Sequence, residues 1–515
     1  MFNERYVDDR YYDIESDHVK FEKSSLQFDF EQPQLPIFDT LSLSPQYKMS
    51  SRRRYSMFRN RLVALLPSFI TKPTSGGTSM ATKITPTTYL NGLRGVAAFF
   101  VFCHHYLMEY YRDITFYAYG TRSEDNYLIQ LPFISLIHSG SFMVAIFFIL
   151  SGYVLSYKTV HLIYKSNGTG IHDQTIFQTL ASSAFRRAPR LYIPLIIPWI
   201  LTTLIVYSGY FTRLDYEIGP PCIIVMPAPT LFDQFSLEWA NFKDYTNLFV
   251  WERMYPTHLS QLWTIPVEFR GSLIVFLLLL CFAKVKHGVR LVLEFSISWY
   301  ALSYDRWDIF LFVWGIIFSE LSAIRTIATN STYGIDLWLN KDQTMLRLLR
   351  YGMKMLWVTL FLLGAWMGSF PIHEDDGGDV SPFFHPLIDL TPSTPLAELE
   401  SHRFWATIGA VFFMLGMDHL EILQKPFTTS LAQYLGDISY GFYVVHWTIL
   451  RSIGRFIPVL FIALMENRFH GFCTAFVFEL VLTVWLGDIQ MRIGDRPAVK
   501  IARWLEKSCM QRPRS

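Results

Sequence analysis

Charge is scarce in this chain. Asp, Glu, Lys and Arg supply only 17% of its 515 residues while 51% are hydrophobic, a balance that soluble globular domains seldom show. That scarcity argues against a water-soluble fold and implies a polytopic membrane protein. A dominant sign of charge is missing too: 45 basic residues against 43 acidic ones leave a formal net charge of +2, and nucleic acid is not implied as a partner. Cysteine is rare. Cys103, Cys281 and Cys473 fall in apolar spans and Cys222 and Cys509 are isolated, so neither a disulfide framework nor a metal cluster is indicated. The first 50 residues have no long hydrophobic run, so no cleavable signal peptide is expected and the first spanning helix must act as the signal. No internal repeat of roughly 20–50 residues is visible, which weakens solenoid and inverted-repeat transporter readings.

What is present is a series of apolar runs. Residues 1–85 form a polar extension, expected to be cytosolic, with Arg52, Arg53, Arg54, Arg59 and Arg61 ahead of the patch LVALLPSFI and a Gly/Ser/Thr-rich linker. Such a segment either rests on an anionic membrane surface or stays disordered. Ten runs near the length needed to cross a bilayer then follow, at 90–111, 136–157, 191–211, 262–283, 288–304, 307–324, 353–371, 404–422, 438–462 and 471–490. The fold class implied is all-α: a bundle of about ten transmembrane helices over 86–507, closed by a short cytosolic tail at 508–515. Lys and Arg concentrate in the amino-terminal arm, 158–190, 284–290, 325–350 and the tail from Arg492. The connection 372–402 carries Glu374, Asp375, Asp376 and Asp379 instead. This asymmetry predicts both ends on the cytosolic side, in an endomembrane or the plasma membrane. Asn167 and Asn330, in NGT and NST sequons, would then be unglycosylated.

Several ionisable groups sit inside these runs, and intramembrane charge is costly enough to mark function. In YLNGLRGVAAFFVFCHHYLMEYY, Arg94 and His105 are eleven positions apart, hence within about 20° on one helix face and about 16 Å apart along it. Glu109, one turn beyond His105, is placed to hold its imidazole in one tautomer, while His104 is rotated by about 100°. FFILSGYVLSY brings Ser151 and Gly152 to the end of the second span, where small side chains let another helix or a ligand approach. FRRAPRLYIP puts Arg186, Arg187 and Arg190 at the mouth of the third, as positive-inside topology or as a phosphate site. Glu268 and Arg270 lie in QLWTIPVEFRG, and Ser439, Tyr443 and His446 form a polar stripe in ISYGFYVVH.

In this order, NGLRGVAAFFVFCHH, FFILSGYVLSY, FRRAPRLYIP, LWTIPVEF and ISYGFYVVH resemble the acyltransferase-3 family of integral membrane acyltransferases. The resemblance covers about 88 to 505, and the closing IGDRPAVKIARWLE is similar to the ending of fungal members. It implies that Arg94 and His105 are the family's essential intramembrane pair, with His105 the leading catalytic residue. Acyl transfer to a hydroxyl needs a base, and His105, oriented by Glu109 or by a residue from another helix, suits that role. It also implies that Arg186, Arg187 and Arg190, across from Ser151 and Gly152, lie near the entry for the nucleotide of acyl-CoA. The donor is then a co-substrate, most simply acetyl-CoA, with no permanently bound cofactor and no metal. The acceptor is a hydroxyl of a glycan, lipid or small secondary metabolite. FRG after Glu268 departs from the common bacterial pattern, which leaves Glu268, Tyr443 and His446 as substrate-facing or structural polar groups. No soluble esterase-like domain is appended, so the membrane domain carries whatever chemistry occurs. Two rival classes remain on the residues alone: a proton-coupled secondary transporter using Arg94, His105, Glu109, Glu268 and His446, and a non-catalytic scaffold.

Overall fold

The computed structural model describes residues 66–68, 85, 87–166, 173–213, 223–247, 258–331, 343–372 and 381–510. The arginine-rich stretch of the extension, Asn167, the side chain of Asn330 and the acidic residues Glu374 to Asp379 lie outside them.

Most of the described residues are helical, and the strand pairing among them is a two-residue antiparallel one of Thr212–Arg213 with Ile223–Ile224. The main helices are α1 (Thr88–Tyr110), α2 (Gly140–Ser166), α3 (Asp173–Tyr192), α4 (Ile196–Tyr207), α5 (Leu231–Tyr245), α6 (Thr264–Phe282) and α7 (His287–Ser303). They continue as α8 (Trp307–Ser331), α9 (Gln343–Gly368), α10 (Ser401–His419), α11 (Ser430–Arg451), α12 (Ile453–Met465), α13 (Arg468–Gln490) and α14 (Arg496–Cys509). Helix is the expected response to an apolar solvent, because it satisfies every backbone donor and acceptor within its own segment.

Six of these helical stretches are long and apolar enough to cross a membrane, or eight when α10 with Glu421–Thr428 and α11 with α12 are each counted as one bent span. The other two expected spans are helices as well. They are α1, whose Arg94, two histidines and Glu109 dilute its apolarity, and α7, which at 17 residues is short. Proline shapes the third crossing: Pro189 lies inside α3 and Pro194 in the 3-10 turn Ile193–Leu195 that joins it to α4. The Pro194 carbonyl accepts from Gln490 Nε2 at 2.6 Å, so that break is tied to the end of α13.

Glycine sets the closest helix contacts. A Cβ on Gly436 would stand 2.2 Å from the Asn91 carbonyl oxygen and one on Gly95 2.3 Å from the Gly436 nitrogen, so α1 and α11 touch backbone to backbone. They run parallel, Gly95 beside Gly436, His105 beside His446 and Glu109 beside Arg451. Helix α5, absent from the sequence reading, is turned inside out. Gln234 and Glu238 face inward, where Glu238 is hydrogen-bonded to Gln234 and paired with His258, while Phe232 and Trp239 are exposed.

Candidate functional site

Backbone contact between α1 and α11 fixes Arg94. Its guanidinium donates to the Gly436 carbonyl at 2.8 Å and to Asn91 Oδ1 at 3.0 Å, and Asn91 in turn donates to Asp437 at 3.1 Å. Arg94 remains exposed, into a cavity of ≈ 410 Å³ walled by α1, α2, α3, α6 and α11.

Arg187, Arg190, Ser151, Glu268 and Tyr443 line the same cavity. Five of the motifs read from sequence therefore converge on one space. Glu268 Oε1 accepts from Arg187 at 2.7 Å and from Ser151 at 2.9 Å, and Arg187 Nε donates to Ser272 at 2.7 Å. This closed network ties α2, α3 and α6 together and gives Glu268 and Ser151 a positioning task. Arg190 is exposed and, among the described residues, forms no ion pair. Tyr443 donates to the Gln261 carbonyl and meets Thr264 Oγ1 at 2.7 Å.

Two expected donor-site residues are elsewhere. Arg186 turns to α14, pairing with Glu506 at 3.2 Å, and does not line the cavity. Gly152 faces α8, where an added Cβ would meet the Phe312 carbonyl oxygen at 2.3 Å, so its smallness serves helix packing rather than a ligand.

One turn past Tyr443 the stripe on α11 reaches His446, whose Nε2 lies 3.0 Å from His105 Nδ1 with the two rings stacked at 5.1 Å. The protonation pattern follows from the far end. His446 Nδ1 lies 2.6 Å from the Tyr443 carbonyl, which can only accept, so Nδ1 carries the proton. Neutral His446 then presents a bare Nε2 to His105, and His105 donates through Nδ1. The His105 Nε2 lone pair is left free, the arrangement a general base needs.

Glu109 does not hold His105. Its carboxylate faces Arg451 at 3.1 Å and Arg455 at 3.4 Å, with all three side chains at least 95% buried. Both arginines come from the α11–α12 bend, which helical geometry within α1 alone did not reveal. His104 Nδ1 is bonded to the His138 carbonyl at 2.7 Å, away from this relay. Trp447, also missed, packs edge-on to His105 at 5.0 Å and lies under Arg451 at 4.5 Å. The available signal was the continuation of the α11 stripe through Trp447 and Arg451. Among the described residues no group of three His, Cys, Asp or Glu side chains is disposed to hold a metal.

No solved structure matches this chain. It is 28% identical over 475 residues to "O-acetyltransferase PaAT-1" of Phomopsis amygdali, covering 87% of this chain and 88% of that protein. "Acyltransferase clz18" of Cochliobolus lunatus is 24% identical over 415 residues, and "Acyltransferase R4" of a Phoma species 23% over 412, each covering 72% of this chain and 83% of the relative. The family model described as "Acyltransferase domain", Acyl_transf_3, matches residues 87–488, from the first turn of α1 to the last turn of α13, and the chain belongs to the acyltransferase-3 family.

Proposed function

We propose that this membrane acyltransferase takes a short acyl group, acetyl in the simplest case, from acyl-CoA and transfers it to a hydroxyl of a glycan, lipid or small metabolite. The observation that carries this reading is one cavity with two exposed guanidiniums, Arg94 and Arg190, and a histidine relay one turn beyond its inner wall. Phosphates of the donor suit the guanidiniums, which stay charged and cannot act as bases. The rise of about 16 Å from Arg94 to His105 is of the order of an extended pantetheine arm. The relative from Phomopsis amygdali, named an O-acetyltransferase, favours acetyl and an oxygen acceptor.

In the step proposed, the acceptor hydroxyl gives its proton to His105 Nε2 as its oxygen attacks the thioester carbon. The C–O bond forms, the C–S bond breaks, and the departing thiolate recovers the proton from the imidazolium. An acyl group carried on His105 is the competing course, and rapid quenching with labelled acetyl-CoA separates the two by the presence or absence of an adduct. The deciding test is thiol release from acetyl-CoA by purified protein. Arg190→Gln should raise the donor KM by about tenfold or more with little change in kcat, since charge-assisted phosphate contacts act largely as uniform binding. Absence of any thioester consumption by the wild-type chain rejects the enzyme reading.

A further inference from the structure

Helix α13 does not stop at Gln490. Through the π-helical turn Met491–Asp495 it runs on into α14, making one helical stretch of 42 residues from Arg468 to Cys509. At 1.5 Å per residue that is about 63 Å, roughly twice the apolar thickness of a bilayer. The 23 residues of α13 are enough to cross, so α14 stands beyond the apolar layer. All four basic residues of α14, Arg496, Lys500, Arg503 and Lys507, fall within an arc of about 60° on its surface. All four are exposed, and among the described residues none of them forms an ion pair. Positive-inside topology asks for the number of such charges, not for a shared face.

The opposite face of α14 is spent on packing. Ala498 and Ala502 are fully buried, and Glu506 pins the helix to α3 through Arg186 at 3.2 Å. That pin sets the stripe at the mouth of the Arg94 cavity. The two helices run antiparallel, since Gln490 reaches the Pro194 carbonyl and Glu506 reaches Arg186. Arg503, one turn before Glu506, therefore comes level with Arg190, one turn after Arg186. Its charge acts on the Arg190 guanidinium together with those of Arg94, Arg186 and Arg187. Outward from Arg190 the row of cations continues through Arg503 to Lys507, about 6 Å further along the helix.

We propose that Arg503 and Lys507 bind the 3′-phosphate of the donor's nucleotide, so that α14 distinguishes coenzyme A from donors lacking that phosphate. This rests on the acyl-CoA reading, in which Arg94 and Arg190 take the donor's other phosphates and the pantetheine arm runs inward to His105. The 3′-phosphate lies on the nucleotide side of those phosphates, away from the thioester, and so emerges where the stripe lies. A helix that serves lipid headgroups lies in the plane of the interface. Helix α14 instead continues a spanning helix and turns its cations to the mouth of the cavity.

The test compares donors that differ in this one group. For the full chain in nanodiscs, the KM of acetyl-3′-dephospho-CoA should exceed that of acetyl-CoA about tenfold, the size of a lost charge-assisted contact at an exposed site. The double variant Arg503→Gln, Lys507→Gln should bring the two values together by raising that of acetyl-CoA alone, and Arg503→Lys should keep part of the difference. A merely structural change in α14 raises both. Binding is read without turnover by calorimetric titration with adenosine 3′,5′-bisphosphate and with adenosine 5′-phosphate. The wild type should prefer the bisphosphate about tenfold and the double variant should not. Equal KM values in the wild type, or a double variant that keeps the preference, overturns the proposal. So does a double variant that loses bound anionic lipid with its nucleotide preference intact, which assigns the stripe to headgroup phosphates. A wild type that prefers the bisphosphate but releases no thiol sinks the acyl-transfer reading and leaves this site standing; thiol release without the preference does the reverse.

Discussion

The free Nε2 of His105 depends on a partner 341 positions away in sequence. His105→Ala is expected to lower acyl transfer by roughly 10²–10⁴-fold, the loss typical for a general base, with expression and membrane insertion unchanged. His104→Ala should be milder, because His104 is spent on the His138 carbonyl. His446 acts on the reaction through His105. His446→Gln keeps an acceptor for His105 Nδ1 and should retain more activity than His446→Leu, which removes it; equal activity of the two variants counts against the relay. Glu109 makes a different prediction. Glu109→Gln leaves Arg451 and Arg455 buried with one carboxylate fewer, a loss that costs about 3–5 kcal/mol when a buried pair is broken. Thermal stability of the purified protein should fall sharply, while the rate per folded molecule changes little. A stable but inactive Glu109→Gln protein would return this acid to the catalytic machinery.

At the scale of elements, the motif NGLRG works as much through its glycines as through its arginine. Gly436→Ala places a methyl 2.2 Å from the Asn91 carbonyl, a backbone group that cannot swing aside. The expected result is α1 displaced from α11, with both donor KM and kcat impaired in a protein that still inserts; wild-type kinetics would show that the contact is not needed. What the sequence discloses at this level follows from where the signal is carried. Spans showed because apolar length is local: expected runs at 288–304 and 307–324 match α7 and α8, with Asp305 at φ 59° in the turn between them. Arg94, Arg187, Arg190, Ser151, Glu268 and Tyr443 could be singled out because each is a polar group in apolar surroundings, and the structure brings them to one cavity. Helix α5 escaped because Asp233, Glu238, Lys243 and Asp244 interrupt its apolar pattern. The partners of Glu109 escaped because α11 and α12 reach it from the other end of the chain. Gly152 and Arg186 were assigned to the donor because a small residue and a basic turn fit several uses, and only packing against α8 and α14 selects among them.

For the whole molecule, the directions of packed helices constrain how often the chain crosses. Helices α1 and α11 run parallel, so an odd number of crossings separates them; α2, α3 with α4, α6, α7, α8, α9 and α10 supply seven. Leaving out the short α7 would make that number even and reverse α11. The pairing of α2 with α8 agrees: Phe148 stacks on Phe312 and Tyr153 packs on Phe318, a parallel register for the second and sixth crossings. Helices α11 and α13 are antiparallel, Gly441 beside Gly487 and Gly454 beside Glu479, as the ninth and tenth must be. With α1 and α7 added to the eight long apolar spans the count is ten, which predicts both ends on one side, and the Lys/Arg excess in 158–190 and beyond Arg492 predicts that this side is cytosolic. In sealed vesicles of known orientation, the exposed Cys509 and a Lys158→Cys variant should react with an impermeant maleimide from the cytosolic face, and a Glu124→Cys variant only from the opposite face. Labelling of Cys509 and position 158 from opposite faces would require an odd number of crossings, and with it a different path for α7 and a different side for the Arg94 cavity.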